Sequence, residues 1–179
     1  HSFCHYLLRT EGKVFEIISG KEQINLLRNL MKRKRLDMSV GTLLREISLA
    51  KNNLIDVEEF KSLYESDKTM VKVANIYESY EKEKAKKYLL DFDDLLLETY
   101  FLLNENDAIR DKYVNRYHHI LVDEFQDTNP VQLEIIKLII DQANSDGRSY
   151  WIAGDDWQSI YSFAGASVNN ILNFQSTFQ

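Results

Sequence analysis

Cysteine, proline and glycine are all scarce in this chain of 179 residues, which has one, one and six of them respectively. A lone cysteine, Cys4, excludes an internal disulfide and is expected to pack as a small apolar residue. Pro130 is the only proline, and between Lys21 and about Asn104 the only glycine is Gly41, so that stretch is expected to be helical. No apolar run is long enough to span a bilayer, no signal-like segment is present, and no Asn-x-Ser/Thr acceptor occurs; a soluble, cytoplasmic protein is the expectation. A net charge of −6 excludes a broad basic face, so any contact with nucleic acid must be local. The chain also lacks any Gly-x-x-x-x-Gly-Lys-[Ser/Thr] loop. It opens at His1 rather than methionine and closes on Gln179 with no evident helix cap, which reads as a piece of a longer protein.

With 44% apolar content the chain can bury one core and a smaller appended lobe. Apolar residues recur at helical spacing in Ile24, Leu27, Leu30 and Met31, then in Leu43, Leu44 and Ile47. Val57, Phe60 and Leu63 repeat the pattern, and Met70, Val73, Tyr77 and Tyr80 give the cleanest stripe. Glu78→Lys82 and Glu83→Lys87 suit that last helix, while Lys82, Lys84, Lys86 and Lys87 read as a solvated face. Lys32-Arg33-Lys34-Arg35 is the only concentrated basic run; it suits a solvated helix C-terminus, or alternatively a phosphate contact. Asp91-Phe92-Asp93-Asp94-Leu95-Leu96 restarts a helix, with an aspartate cap, acids in the first turn, and Phe92, Leu95, Leu96 and Leu102 facing inward.

From Tyr117 the texture changes. His118-His119-Ile120-Leu121-Val122 is short and β-rich, as a buried parallel strand should be, with one histidine toward the core and the other toward a helix layer. Pro130 suits the first position of a helix whose buried side is Val131, Leu133, Ile135, Ile136, Ile139 and Ile140. Asp146-Gly147 ends it, and Ser149-Tyr150-Trp151-Ile152-Ala153 forms the next strand. Strand, helix, strand is the α/β part, and strands expected to flank it are missing from the chain.

Both strands end in polar chemistry. A carboxylate at a strand tip can hold magnesium, usually through water, opposite nucleotide phosphates, and Asp123 stands there. Glu124 projects differently and can orient or deprotonate an attacking water. Gly154 permits a tight turn after the second strand, with Asp155 and Gln158 following; a glutamine amide can sense a γ-phosphate. Tyr161 and Phe163 are ordinary core aromatics or, beside a phosphate sensor, platforms for bases of a single strand.

These segments resemble UvrD/Rep-type superfamily 1 DNA helicases. Val122 through Asn129, reading Val-Asp-Glu-Phe-Gln-Asp-Thr-Asn, is similar to their motif II (Walker B). Gly154 through Phe163, reading Gly-Asp-Asp-Trp-Gln-Ser-Ile-Tyr-Ser-Phe, is similar to motif III, and His1-Ser2-Phe3-Cys4 resembles the tail of a Thr-Phe-His-Ser segment. Leu90-Asp91-Phe92-Asp93-Asp94-Leu95 is similar to the run where a helical 1B insert returns to domain 1A. The resemblance implies a partial RecA-like parallel sheet with a large all-helical insertion: residues 1–18 in domain 1A, 19–90 in the 1B insert and 91–179 in the remainder of 1A. It further implies ATP and Mg2+ as cofactors, with Asp123 serving the metal, Glu124 activating water and Gln158 sensing the γ-phosphate. Gln126, Asp127 and Asp155 would couple the nucleotide to neighbouring motifs, and His1, Tyr161 and Phe163 would contact single-stranded DNA. The implied activity is 3′→5′ translocation on a single strand and unwinding at junctions with duplex.

Two departures stand out. Where the family commonly has arginine after the second aromatic of motif III, this chain has Ala164, and Phe163-Ala164-Gly165-Ala166 is closer to a helicase IV-like branch. Without the phosphate-cradling loop, the polypeptide alone is expected not to hydrolyse ATP. Two rivals follow: a non-catalytic module binding DNA or a protein through its helical lobe, and a metal-dependent nuclease using the clustered acids.

Overall fold

The computed structural model describes residues 1–140, 147 and 149–154, and the chain divides into two units, His1–Leu95 and Leu96–Gln179. Helix α1 (Ser2–Thr10) buries Cys4, Leu7 and Leu8 on one face, so the cysteine packs as a small apolar residue. A short strand β1 (Glu16–Ile17) follows, and then four helices: α2 (Gly20–Lys34), α3 (Val40–Asn52), α4 (Val57–Leu63) and α5 (Lys68–Lys86). Side chains cap three of the four starts, α2 beginning at Ser19 without such a bond. Ser39 accepts from the Thr42 amide, Asp56 from the Glu59 amide, and Asp67 from the amides of Thr69 and Met70.

The expected stripes build one core, in which Leu27, Leu30 and Met31 of α2 meet Leu43 and Ile47 of α3, Phe60 of α4, and Val73, Tyr77 and Tyr80 of α5. Leu63 departs from its stripe: it is 58% exposed, at the last residue of α4. Glu78 pairs with Lys82 as expected, but Glu83 takes Lys86 at 2.9 Å rather than Lys87. The basic run lies exposed at the end of α2, where cations face the carbonyl end of the dipole.

Strand β2 (Leu89–Leu90) pairs in parallel with β1, Glu16 opposite Leu89 and Ile17 opposite Leu90. The helices α2 to α5 therefore leave from one strand of a two-stranded ladder and return to the other. Neither strand is legible in the sequence, since two residues are too few to show a period. Helix α6 (Phe92–Glu105) then carries the chain from the first unit into the second.

In the second unit, α7 (Asp107–Arg116) precedes β3 (His119–Val122), and α8 (Pro130–Ile140) precedes β4 (Ser149–Ile152). β3 and β4 are parallel, with His119 opposite Ser149 and Val122 opposite Ile152, as a strand–helix–strand unit requires. Pro130 opens α8, and Val131, Ile135, Ile139 and Ile140 are its buried residues. Gly147 takes φ +71° just ahead of β4.

The expectation of a fully buried β3 is corrected. Its residues alternate between exposed and half-buried, Leu121 is 71% exposed and its partner across the ladder, Trp151, is 64% exposed. Side chains on a strand point alternately to two faces, and among the described residues only one face of this ladder is covered. The histidines are corrected with it. Both are exposed, His118 Nε2 near the Asn115 carbonyl at 3.2 Å and His119 Nδ1 bonded to Ser149 Oγ at 2.9 Å.

Candidate functional site

The carboxylates Asp123 and Glu124 stand at the tip of β3, both exposed. Two backbone bonds extend the β3–β4 ladder to this point, Ala153 N to Val122 O at 2.9 Å and Phe125 N to Ala153 O at 3.0 Å, while Ser149 N to His118 O at 3.0 Å closes its opposite end. The chain turns sharply at Glu124, which adopts a left-handed conformation of φ +50° and ψ +43°. Non-glycine residues rarely accept this, and the strain costs on the order of 1 kcal/mol. The two consecutive carboxylates accordingly take different partners, Asp123 the Glu124 amide and Glu124 the Gln126 side chain.

The turn is held from below. Phe125, Gln126 and Asp127 form a single 3₁₀ turn in which Phe125 and Gln126 are fully buried. The Gln126 amide Nε2 donates to Glu124 Oε2 at 2.5 Å, fixing the carboxylate from a buried base. The Glu124 amide donates to Asp123 Oδ1 at 2.9 Å and the Asp127 amide to the Glu124 carbonyl at 2.9 Å. Asn129 and Gln132 then close the entry to α8 reciprocally, each amide donating to the other's side chain at 3.1 and 2.9 Å. Asp127 keeps a buried Oδ1 with no hydrogen-bond partner among the described residues.

Asp123 leaves lone pairs free for a hydrated divalent cation, and Glu124 has one oxygen tied and the other open. That donor set fits Mg2+, which binds through few carboxylates and keeps most of its water. Asp155, Gln158, Tyr161 and Phe163, the remaining expected site residues of the second unit, lie outside the described residues, as does Ala164.

In the first unit, His1 is exposed at the start of α1, and its ring meets the edge of Phe92 at 5.8 Å between centroids, inclined at 75°. Phe92 is 50% exposed, which corrects its expected inward orientation; Leu95 and Leu96 are buried and Leu102 partly so. The inward residues of this turn are acids. Asp91 and Asp94 are buried, and their carboxylates surround two ammonium groups. Lys51 Nζ lies 2.8 Å from Asp91 Oδ2, 2.6 Å from Asp94 Oδ1 and 2.8 Å from Glu81 Oε1. Lys84 Nζ lies 3.0 Å from Asp91 Oδ2, 3.0 Å from Glu81 Oε1 and bonds Asp94 Oδ2. Lys84 is 1% exposed, which corrects its assignment to a solvated face.

Burial works against the Lys51 charge, but Asp91, Asp94 and Glu81 outweigh it and hold its pKa well above the ordinary value. Asp91 is likewise penalised by burial, and Lys51 and Lys84 override this to pull it well below the usual carboxylate range. Glu81 is raised, by burial first and by Asp94 among its neighbours. Glu81, Asp91 and Asp94 come close enough together to suggest a metal site, but the two lysine ammoniums already occupy the space between them. Sequence reasoning missed this cluster because Lys51 and Asp91 are 40 residues apart; the available signal was a helix start with three acids around one phenylalanine.

The whole chain, residues 1–179, matches the UvrD/REP helicase N-terminal domain. It is 34% identical, over 99% of its length and 26% of the relative's, to a probable DNA helicase II homolog of Mycoplasma capricolum. It is 31% identical, over 99% of its length and 25% of the relative's, to the ATP-dependent DNA helicase PcrA of Bacillus subtilis. The PcrA of Staphylococcus aureus is 30% identical over the same share of each chain. The chain thus spans about a quarter of the length of these curated relatives. An α/β domain with short parallel ladders, acids at a strand tip and an end-to-end sequence match lead to one statement: the chain belongs to the UvrD/REP helicase N-terminal domain family.

Proposed function

We propose that this chain forms part of an ATP-dependent DNA helicase, soluble in the cytoplasm, that moves 3′→5′ on single-stranded DNA and opens duplex at junctions. The observation that carries the reading is the tip of β3, where Asp123 and Glu124 project separately into solvent and Gln126 clamps Glu124 from a buried position. Asp123 serves Mg2+ on ATP, Glu124 takes the proton of the attacking water, and Gln126 holds Glu124 in place. Asp127, with an unpartnered buried oxygen among the described residues, is suited to couple this turn to a neighbouring segment. Asp155 and Gln158 complete the nucleotide contacts as coupler and γ-phosphate sensor, and Tyr161 and Phe163 stack on bases, in the role their motif implies. The Ala164 variant of that motif supports a place in the helicase IV-like branch.

The helices between β1 and β2 serve as the 1B insert. Departure from and return to one parallel ladder supports that reading. His1 and the exposed Phe92 beside it form a contact point for single-stranded DNA, where an aromatic face stacks on any base without reading sequence. The 179-residue polypeptide lacks the phosphate-cradling loop and does not turn over ATP alone; phosphate release above background in the presence of single-stranded DNA would refute that.

The central test is Glu124→Gln in the full-length helicase. ATPase activity should fall by orders of magnitude while single-stranded DNA binding persists. A variant with undiminished turnover removes the helicase reading and leaves the non-catalytic binding module. Magnesium-dependent cleavage of a labelled strand would instead support the nuclease.

A further inference from the structure

The turn Asp91–Asp94 has inverted polarity. Its three acids face the protein and its one phenylalanine faces solvent, against the ordinary preference of both residue types. Each acid has a specific tether. Asp91 and Asp94 cap the helix reciprocally, the Asp94 amide donating to Asp91 Oδ1 at 2.9 Å and the Asp91 amide to Asp94 Oδ2 at 2.7 Å. Their carboxylates are then gripped by Lys51 of α3 and Lys84 of α5. Asp93 accepts from Asn52 Nδ2 at 3.1 Å, which adds a second link to α3. Tyr80 of α5 donates to Asp91 Oδ2 at 3.0 Å and itself accepts from Gln23 of α2 at 2.9 Å. Three helices therefore converge on one turn, and the side chain left outside is Phe92.

Capping alone does not need this. A single exposed aspartate, such as Asp56 on α4, caps a helix without a buried lysine. Two lysines nearly sealed from water are expensive to bury, and their retention fits a demand for geometry more than for stability.

We infer that Lys51, Lys84 and Asn52 are positioning residues: through Asp91, Asp93 and Asp94 they lock the rotation of the first turn of α6, so that the Phe92 ring stands beside His1 ready to stack on a base of single-stranded nucleic acid. The inference rests on the DNA-contact reading above and goes beyond it by assigning the buried charges a role in ligand binding. These residues touch no ligand; they limit the orientations that Phe92 can adopt.

The test uses the full-length protein and single-stranded oligonucleotides carrying 2-aminopurine at successive positions, whose fluorescence reports stacking at one base. Wild-type protein should change the fluorescence strongly at one position, and Phe92→Ala should lose that change with at most about a tenfold loss in overall affinity. Lys51→Met and Asn52→Ala should lose the same single-position change while other positions respond as in wild type, and Lys51→Arg should restore most of it. Circular dichroism and a cooperative melt show which variants are folded. Asn52→Ala removes a neutral donor and leaves Asp93 its hydrogen bond with Ser48, so it keeps the test decisive if Lys51→Met fails to fold. If Phe92→Ala loses the signal while Asn52→Ala and folded Lys51→Met keep it, the positioning role is overturned and the DNA contact stands. If Phe92→Ala itself behaves as wild type, the contact fails too, while the Glu124→Gln result is untouched.

Discussion

At Glu124 the backbone does something a glutamate resists, and the cost is local and testable. Its φ of +50° is left-handed, and the buried Gln126 amide holds its carboxylate. Asparagine accepts that conformation more readily. Glu124→Asn should therefore relieve about 0.5–1 kcal/mol of backbone strain and give up about 1 kcal/mol at the buried Gln126 amide, leaving stability within about 1 kcal/mol in urea denaturation, while under the proposed function ATP hydrolysis by the full-length protein collapses. A large loss of stability would mean that the carboxylate is structural. The place of Asp123 and Glu124 at a strand tip was legible from sequence, because a short apolar β-rich run that stops at adjacent acids marks where a strand leaves the sheet. The left-handed turn was not, since no glycine announces it. Lys84 shows the opposite failure. Its neighbours Lys82, Lys86 and Lys87 are all solvent-facing to some degree, and nothing in the local pattern marks the one that is buried.

The elements most exposed to charge are α3, α5 and the start of α6. Their shared cluster holds three carboxylates, Glu81, Asp91 and Asp94, against two ammoniums, Lys51 and Lys84. Removing one ammonium leaves acids uncompensated, so Lys51→Met should cost about 3–5 kcal/mol in denaturant unfolding. The pH dependence has two signs. Asp91 is depressed below its ordinary value of 3.8, so its contribution is complete above that pH and is lost as pH falls through it toward the depressed value. Glu81, which is a third exposed, is raised above its ordinary 4.5, so its contribution is present below that value and is lost as pH rises through the raised one. Melting temperature should accordingly fall on acidification below about pH 4, and Asp91→Asn should flatten that limb. Glu81→Gln balances two charges against two and should raise the melting temperature at neutral pH by a few degrees. A lower value would show that the Glu81 ion pairs outweigh the excess charge.

For the whole molecule, the division at Leu95 and Leu96 separates a helical core from the strand–helix–strand unit. The cluster from Leu27 to Tyr80 lies wholly in the first unit, so calorimetry should resolve two transitions. Ile47→Ala, which empties a fully buried site, should cost about 2–5 kcal/mol and lower one transition alone. A single transition displaced as a whole would mean that the units unfold together.

The helices α2 to α6 and α8, the strand–helix–strand unit and the acids at its tip were readable from residue order, because periodicity, capping and strand termini act over a few positions; α7 was not, its residues showing no apolar stripe. Contacts between distant segments were not. The two-residue β1–β2 ladder, the burial of Lys51 and Lys84, and the outward turn of Phe92 depend on partners tens of residues apart. Local patterning sets which face of a helix is apolar, but only the packed chain decides where that face runs out and which charges must neutralise one another inside it.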